Sequence, residues 1–327
     1  MKAFAYVNAA NEKEAIAALG TERGKVLPLA GGMDLLAMMK DYIAQPDRLV
    51  NVKNLDRTIR RTSDGGLRIG AAVTLTELVS NADAAKIYPA LVQAAAEVGT
   101  PQIRNAGTVG GNLNQRPRCW YFRNEEFHCL KKGGARCFAV EGENQYHAIF
   151  GDGPCHIVHP SSLAVPAIAL NARFRIVGPA GERDVAAAEY YQMPDRNLFG
   201  ETVLAPNELL THVILPAPGN ARSATYEVRF KQSHDWPLAI ASVLLSMQGN
   251  TVRAARVVMG AVAPVPWRSP AAEAALTGKA LTEEGAMAAA DAAVTGAKPM
   301  AHNAYKVQIA RTAVKRAIMK AAGMVVI

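Results

Sequence analysis

No CxxC pair, no GxGxxG and no GxxxxGK[ST] occurs in the 327 residues. The first absence argues against the zinc ribbons and knuckles that rely on close cysteine pairs. The other two remove the usual dinucleotide and nucleoside-triphosphate fingerprints. No apolar run approaches the roughly 20 residues that a membrane helix needs. Although 36 Lys and Arg against 28 Asp and Glu leave a net charge of +8, the charges are dispersed. There is no block of about five or six like charges and no basic patch interleaved with aromatics, so nucleic-acid binding finds no footing. The start, MKAFAYVNAANEKEA, lacks a long apolar segment followed by a small-residue cleavage site. A cytoplasmic location is expected, and periplasmic export alongside a signal-bearing partner stays open.

Cysteine is scarce, but what there is lies together. Cys119, Cys129, Cys137 and Cys155 are the four thiols of the chain. Scattered core cysteines do not cluster this way. Disulfides are disfavoured because nothing marks the chain as secreted and its length needs no stapling. Zinc is disfavoured by the wide spacing, which suits ligands delivered from several loop turns to a buried iron–sulfur cluster. Arg116, Arg118, Arg123, Lys131, Lys132 and Arg136 outnumber Glu125 and Glu126 here, and excess cation stabilises thiolates and an anionic cluster. Four cysteines already make a full ligand set, so His128, His147, His156 and His159 read as supporting or surface groups. Trp120, Tyr121, Phe122, Phe127 and Phe138 read as the small core that such an insertion requires.

Two glycine-rich loops precede the cysteines. In the first, an apolar strand from Val26 to Ala30 meets Gly31-Gly32, with a helix expected from Asp34 to Met39. The second is QIRNAGTVGGN, in which Gly107, Gly110 and Gly111 flank Thr108 and Val109, with Asn112 after. Glycine lets a ligand approach the main chain, and backbone N–H groups at such turns favour phosphate. Each loop alone could be an ordinary tight turn. Two in one domain suit a diphosphate ligand such as a dinucleotide.

The remaining elements alternate. Strand–helix succession through Val98 implies an α/β arrangement, with Thr74 and Glu77 forming a capping box. LAVPAIAL is a buried strand or helix, ARFRIVG alternates as a half-buried strand, and a further strand runs from Glu208 to Leu215. Pro216 to Gly219 is the expected domain boundary. Beyond it come three antiparallel strands (Thr225 to Phe230, Ile240 to Met247, Val252 to Met259), with Gly249-Asn250 as a hairpin turn. Ala-rich helices follow over Pro270 to Leu276, Glu283 to Val294 and Asn303 to Ala321.

These motifs resemble the flavin (medium) subunit of the molybdenum hydroxylases, the xanthine dehydrogenase and carbon monoxide dehydrogenase family, over essentially the whole chain. LAGGMDLL (Leu29 to Leu36) is similar to the family's first FAD loop and QIRNAGTVGGN (Gln102 to Asn112) to its second. GAVAPVPWR (Gly260 to Arg268), with Glu273, Leu276 and Gly278, is similar to a signature of its C-terminal domain. The cysteine segment, followed by HPSSLAVPAIAL, is similar to two branches, the periplasmic-type aldehyde oxidoreductases and 4-hydroxybenzoyl-CoA reductase.

The resemblance implies an α+β protein: a two-part α/β FAD-binding domain of the PCMH type, then a small C-terminal domain of three antiparallel strands and a helical pack. The implied division is 1–218, with an iron–sulfur insertion at about 114–158, and 219–327. FAD would be held by Leu27, Pro28, Leu29, Ala30, Gly31, Gly32, Met33 and Asp34, by Gly107, Thr108, Val109, Gly110, Gly111 and Asn112, and by Ser162 and Leu210. A [4Fe–4S] cluster would be held by Cys119, Cys129, Cys137 and Cys155. Partners would be a large molybdenum-cofactor subunit and a small subunit with two [2Fe–2S] clusters, in a heterotrimer or a dimer of heterotrimers. The implied role is electron transfer from those partners to an external acceptor, with aldehyde oxidation first and a 4-hydroxybenzoyl-CoA reductase-like or N-heterocycle reaction second. No catalytic acid, base or nucleophile is expected in this chain. A stand-alone FAD oxidoreductase and a zinc-stabilised binding module are the rival classes. Three positions depart from the family's pattern. Ser162 stands where an Asp is usual, and Glu227, Lys231 and Asp235 stand where Lys, Arg and Asp are usual.

Overall fold

The computed structural model describes residues 1–326. The chain opens with β1 (Ala5–Asn8), α1 (Glu12–Ala18), β2 (Val26–Leu29), α2 (Leu35–Lys40) and β3 (Arg48–Asn51). These strands form a parallel sheet in the order β1-β3-β2. Parallel neighbours need crossover connections, and α2 lies on the crossover from β2 to β3. The first glycine loop therefore sits at the C-terminal end of β2.

Next come β4 (Ile59–Arg61), β5 (Leu67–Gly70), α3 (Leu75–Val79), α4 (Ala82–Ile87), α5 (Pro89–Ala96), α6 (Pro101–Ala106) and α7 (Val109–Leu113). The capping box is present: Thr74 Oγ1 accepts from Glu77 N, and the Glu77 carboxylate accepts from Thr74 N. Gly99 and Pro101 end one helix as expected, yet Pro101 also opens α6, where its missing N–H costs nothing. The second glycine loop is not a turn. Residues 109–113 form α7, capped by Thr108, whose Oγ1 accepts from Gly111 N at 3.0 Å.

After the short α8 (Trp120–Arg123), the cysteine segment is mostly irregular until α9 (Ala164–Ala169). LAVPAIAL is thus a helix, all six residues of α9 being buried. Pro166 is tolerated because first-turn N–H groups have no intrahelical acceptor. Then β6 (Arg173–Gly178), β7 (Gly181–Ala186), α10 (Ala187–Tyr190) and β8 (Leu209–Leu215) join the earlier pair in a sheet ordered β4-β5-β8-β6-β7. β6 alternates exposure along its length, as its sequence predicts.

The C-terminal portion holds the three expected strands, β9 (Ala221–Val228), β10 (Ala239–Gln248) and β11 (Thr251–Gly260), plus a two-residue β12 (Trp267–Arg268) that the sequence did not reveal. They form an antiparallel sheet covered by α11 (Pro270–Leu276), α12 (Glu283–Ala293) and α13 (Tyr305–Ala322). β9 is stitched to α5 through Thr225, whose hydroxyl donates to Ala90 O at 2.8 Å and whose N–H donates to Gln93 Oε1 at 2.9 Å. This join brings β9 beside the glycine loops. Among the described residues no helix is long and apolar enough to cross a membrane.

Candidate functional site

A cleft of about 1030 Å³ runs between the parallel sheet, α7 and β9. That volume lies at the top of the roughly 300–1,000 Å³ range of small-molecule sites. Its floor is set by glycine. A Cβ on Gly31 would overlap the Ala106 carbonyl, and one on Gly110 would stand 2.8 Å from Ala71 Cβ. The second loop is fastened by Leu75 N to Gly107 O (2.9 Å), Val109 N to Val73 O (2.8 Å) and Gly110 N to Ala71 O (2.8 Å). Gly32, with φ +74°, turns the chain from β2 toward α2 in a conformation that a side chain would strain.

Leu27, Pro28, Ala30, Gly31, Gly32, Met33 and Asp34 line this cleft, as do Gly107, Thr108, Gly110, Gly111, Asn112, Ser162 and Leu210. Leu29 and Val109 do not. Val109 is 2% exposed and belongs to the main core, because the first turn of α7 rotates it inward. Leu29 instead packs beside Gly32.

Two polar residues of the loops have structural partners. Asn112 Oδ1 accepts from Ser161 Oγ at 2.7 Å and from Leu163 N at 3.3 Å, tying α7 to α9. Asp34 accepts from Arg116 N at 2.7 Å and Arg123 Nη2 at 2.6 Å and pairs with Arg118. It anchors the cysteine segment to the first loop.

Several cleft residues lie outside the site residues expected from the sequence. Glu97 to Thr100 with Ile103, Leu204 to Pro206 and the loop His234 to Pro237 all contribute. Trp236 stacks under Arg118, whose Cζ lies 4.4 Å from the ring centroid. Glu227, singled out as a departure but not as a site residue, also lines the cleft. Its side chain is 3% exposed, and burial pushes its carboxyl up to about 8 against the pull of Arg229. No signal within one element marks these residues, because they meet only through tertiary packing.

The four cysteines converge on a second, small cavity of about 10 Å³, shared with Tyr121, Phe138 and His147. All four are free thiols, so the disulfide alternative falls away. His147 Nε2 lies 3.2 Å from Cys119 Sγ. Burial pushes the Cys119 thiol up to about 11 and holds His147 down at about 4, hence neutral. The hydrogen bond between Cys155 and Cys137 pulls the Cys137 thiol below its ordinary value and pushes the Cys155 thiol above it. Among the described residues no group of three or more His, Cys, Asp or Glu that could hold a metal ion is found. The donor set, all sulfur with one imidazole beside it, has the chemistry that a cysteine-held cluster requires.

The aromatic residues pack as expected. Tyr121 meets Phe127 at 5.1 Å between centroids, and Phe127 meets Phe138 at 5.2 Å. The cations behave differently from the expectation. Arg118 and Arg123 turn to Asp34 and Arg116 to Glu201, and Lys131 is the one that lines the cysteine cavity. Its ammonium is 1% exposed, pairs with Glu201 at 2.8 Å and donates to Leu198 O at 2.8 Å. Lys131 and Phe122 border both the cleft and the cysteine cavity, forming the wall between them.

Residues 2–218 match the profile described as the FAD binding domain in molybdopterin dehydrogenase, and residues 224–321 match the CO dehydrogenase flavoprotein C-terminal domain. The chain is 35% identical over 315 residues to the aldehyde oxidoreductase FAD-binding subunit PaoB of Escherichia coli, covering 95% of this chain and 96% of that one. It is 30% identical over 312 residues to the carbon monoxide dehydrogenase medium chain of Hydrogenophaga pseudoflava, covering 93% and 92%. Among solved structures, the carbon monoxide dehydrogenase of Hydrogenophaga pseudoflava lacking the Mo-pyranopterin moiety superposes with a TM-score of 0.76 at 30% identity, over 98% of this chain and 97% of that one. Reconstituted CO dehydrogenase from Oligotropha carboxidovorans superposes with a TM-score of 0.77 at 25% identity, over 99% of each.

Proposed function

The chain belongs to the FAD-binding medium subunits of the xanthine dehydrogenase and carbon monoxide dehydrogenase family, and on that premise we propose that it is an electron junction holding FAD and a [4Fe–4S] cluster side by side. It is an oxidoreductase subunit. Residues 1–218 form the flavin-binding unit, with the cluster in the insertion at about 114–158, residues 219–327 form the second unit, and Glu227 and His234 to Pro237 complete the cleft. The observation that carries this reading is the shared wall of Phe122 and Lys131 between a cleft framed by two glycine loops and a cavity lined by four thiols.

When bound, FAD would exchange an electron pair and the cluster single electrons. The residues supply the rest. Gly31 and Gly32 bring main chain without side chains to the cleft wall for the pyrophosphate, the N–H groups of Gly110 and Gly111 being held by Ala71 O and Thr108 Oγ1, and Thr108 keeps a hydroxyl proton to donate while its oxygen caps α7. Ser162, Leu210 and Glu227 face the ring portion. Cys119, Cys129, Cys137 and Cys155 hold the cluster, and the packed rings of Tyr121, Phe127 and Phe138 exclude water from it.

The partners are a large subunit with the molybdenum cofactor and a small subunit with two [2Fe–2S] clusters. The reaction is oxidation of an aldehyde to the acid, supported by the 35% identity to an aldehyde oxidoreductase subunit. The chain purified alone is expected to turn over no aldehyde with any dye acceptor, and the co-expressed complex to do so. Turnover by the chain alone would sink the subunit reading in favour of a stand-alone flavoenzyme.

A further inference from the structure

Glu227 is a buried acid placed in the cleft whose one ion pair is long and shared with a second carboxylate. On β9 it pairs in register with Ile240, and its side chain is 3% exposed. Ser162 Oγ donates to Oε2 at 3.4 Å. The nearest cation, Arg229, has Nε 3.6 Å from Oε1. That guanidinium is engaged elsewhere: it pairs with the Glu97 carboxylate and donates to Glu97 O at 3.0 Å and Gln232 O at 2.9 Å.

The other charges around Glu227 do not relieve it. Asp235, from the loop over the cleft, adds a further negative charge. Its carboxylate is held by the N–H groups of Lys231 (3.2 Å) and Trp236 (2.8 Å). Lys320 of α13 donates to Thr225 O at 3.2 Å and acts on Glu97. Arg229 is thus shared between Glu97 and Glu227, and Asp235 adds a third carboxylate whose charge acts on Glu227. Glu97 is half exposed and paired, and Asp235 is satisfied by backbone donors. Glu227, the most buried of the three, is the acid left to hold a proton.

We propose that Glu227 is the proton-holding residue of the flavin site, its carboxylate taking up one proton when FAD in the cleft receives two electrons. The proposal rests on FAD occupying this cleft. Electrons arrive one at a time from a partner's iron–sulfur centre. One proton from solvent goes to the flavin ring, and a second converts the Glu227 carboxylate to the acid. The ring gains one net negative charge and the side chain loses one, so the total charge of the pair is unchanged. Both protons return to solvent when the electron pair leaves for the acceptor. The driving force is local repulsion, since a negative ring beside a carboxylate in a dry site costs far more than in water.

Burial already pushes the carboxyl up to about 8, and a bound ring removes more water. Below that pH the group is protonated in both redox states. The exchange falls above it, between the higher pKa that the negative ring imposes and the lower one of the oxidised state.

The test is potentiometric titration of the flavin in the intact complex, wild type against Glu227→Gln, from about pH 7 to about pH 10. Above about pH 8 the wild-type reduction equilibrium is expected to fall an extra tenfold per pH unit relative to the variant, or about 30 mV for a two-electron couple. Equal slopes in two fully flavin-loaded proteins overturn the proposal and leave the cleft assignment standing. Absence of flavin from the wild-type complex overturns both. Should the variant fail to fold, the redox-difference infrared spectrum of the wild type decides. A carboxylic-acid C=O band gained on reduction at about pH 9 supports the proposal, and its absence overturns it.

Discussion

Gly31 and Ala106 are packed so closely that a Cβ on Gly31 would overlap the Ala106 carbonyl oxygen. The two glycine loops are therefore held together by the absence of a side chain, and backbone on both sides leaves no soft atom to yield.

Gly31→Ala is expected to force the loops apart. Overpacking of this kind costs about 1–3 kcal/mol, and the dissociation constant of FAD should rise by roughly tenfold for each ~1.4 kcal/mol borne by the bound state. Gly285→Ala in α12 is the control, because a Cβ there meets Thr282 Oγ1 at an ordinary 3.4 Å. It should leave that constant unchanged.

Glu201→Gln removes the carboxylate that faces buried Lys131 and leaves an uncompensated ammonium between the cleft and the cysteine cavity. Breaking one partner of such a pair costs about 3–5 kcal/mol, read as a lower midpoint in urea unfolding. Asp152→Asn, at an ion pair whose side chains are 71% and 79% exposed, should change the midpoint by no more than ~1 kcal/mol equivalent.

Glu227 should also shape the pH dependence of stability. Its folded pKa is raised from 4.5 to about 8, so between those values the folded chain binds more protons than the unfolded one. Stability relative to Glu227→Gln is then full below pH 4.5 and lost as pH rises to about 8, by at most ~1.4 kcal/mol per pH unit. Melting temperatures of both proteins across that range give the difference. A constant difference would contradict the assignment.

Cys137→Ser should abolish iron and sulfide binding while flavin remains, because no cysteine lines the cleft and Phe122 and Lys131 are the lining residues that the two cavities have in common. Visible absorbance and iron assay of the anaerobically purified variant check this. Joint loss of flavin and iron would show the two sites to be one cooperative unit.

What the sequence makes legible is local. The Thr74–Glu77 box, the Gly249-Asn250 hairpin and the alternation in β6 each depend on neighbours a few residues apart, and each stands in the structure where its pattern puts it. The glycine loops were legible as ligand sites in waiting, but not in shape. Two adjacent glycines disfavour a helix, and α7 exists because Val109 and Gly110 donate to Val73 and Ala71 far back in the chain. The same limit applies to Asn112 and Asp34, whose partners Ser161 and Arg123 are set by tertiary packing. The sharing of one arginine by Glu97 and Glu227, with Asp235 acting on Glu227, likewise arises from three separate elements and leaves no periodicity to read.

The measurement that tests the account most directly is the content of FAD, iron and acid-labile sulfide in protein purified without oxygen. One flavin and one [4Fe–4S] cluster per chain, with flavin bands and a broad iron–sulfur shoulder in the spectrum, is the predicted result. Flavin without iron, or zinc on the four thiols, would contradict it.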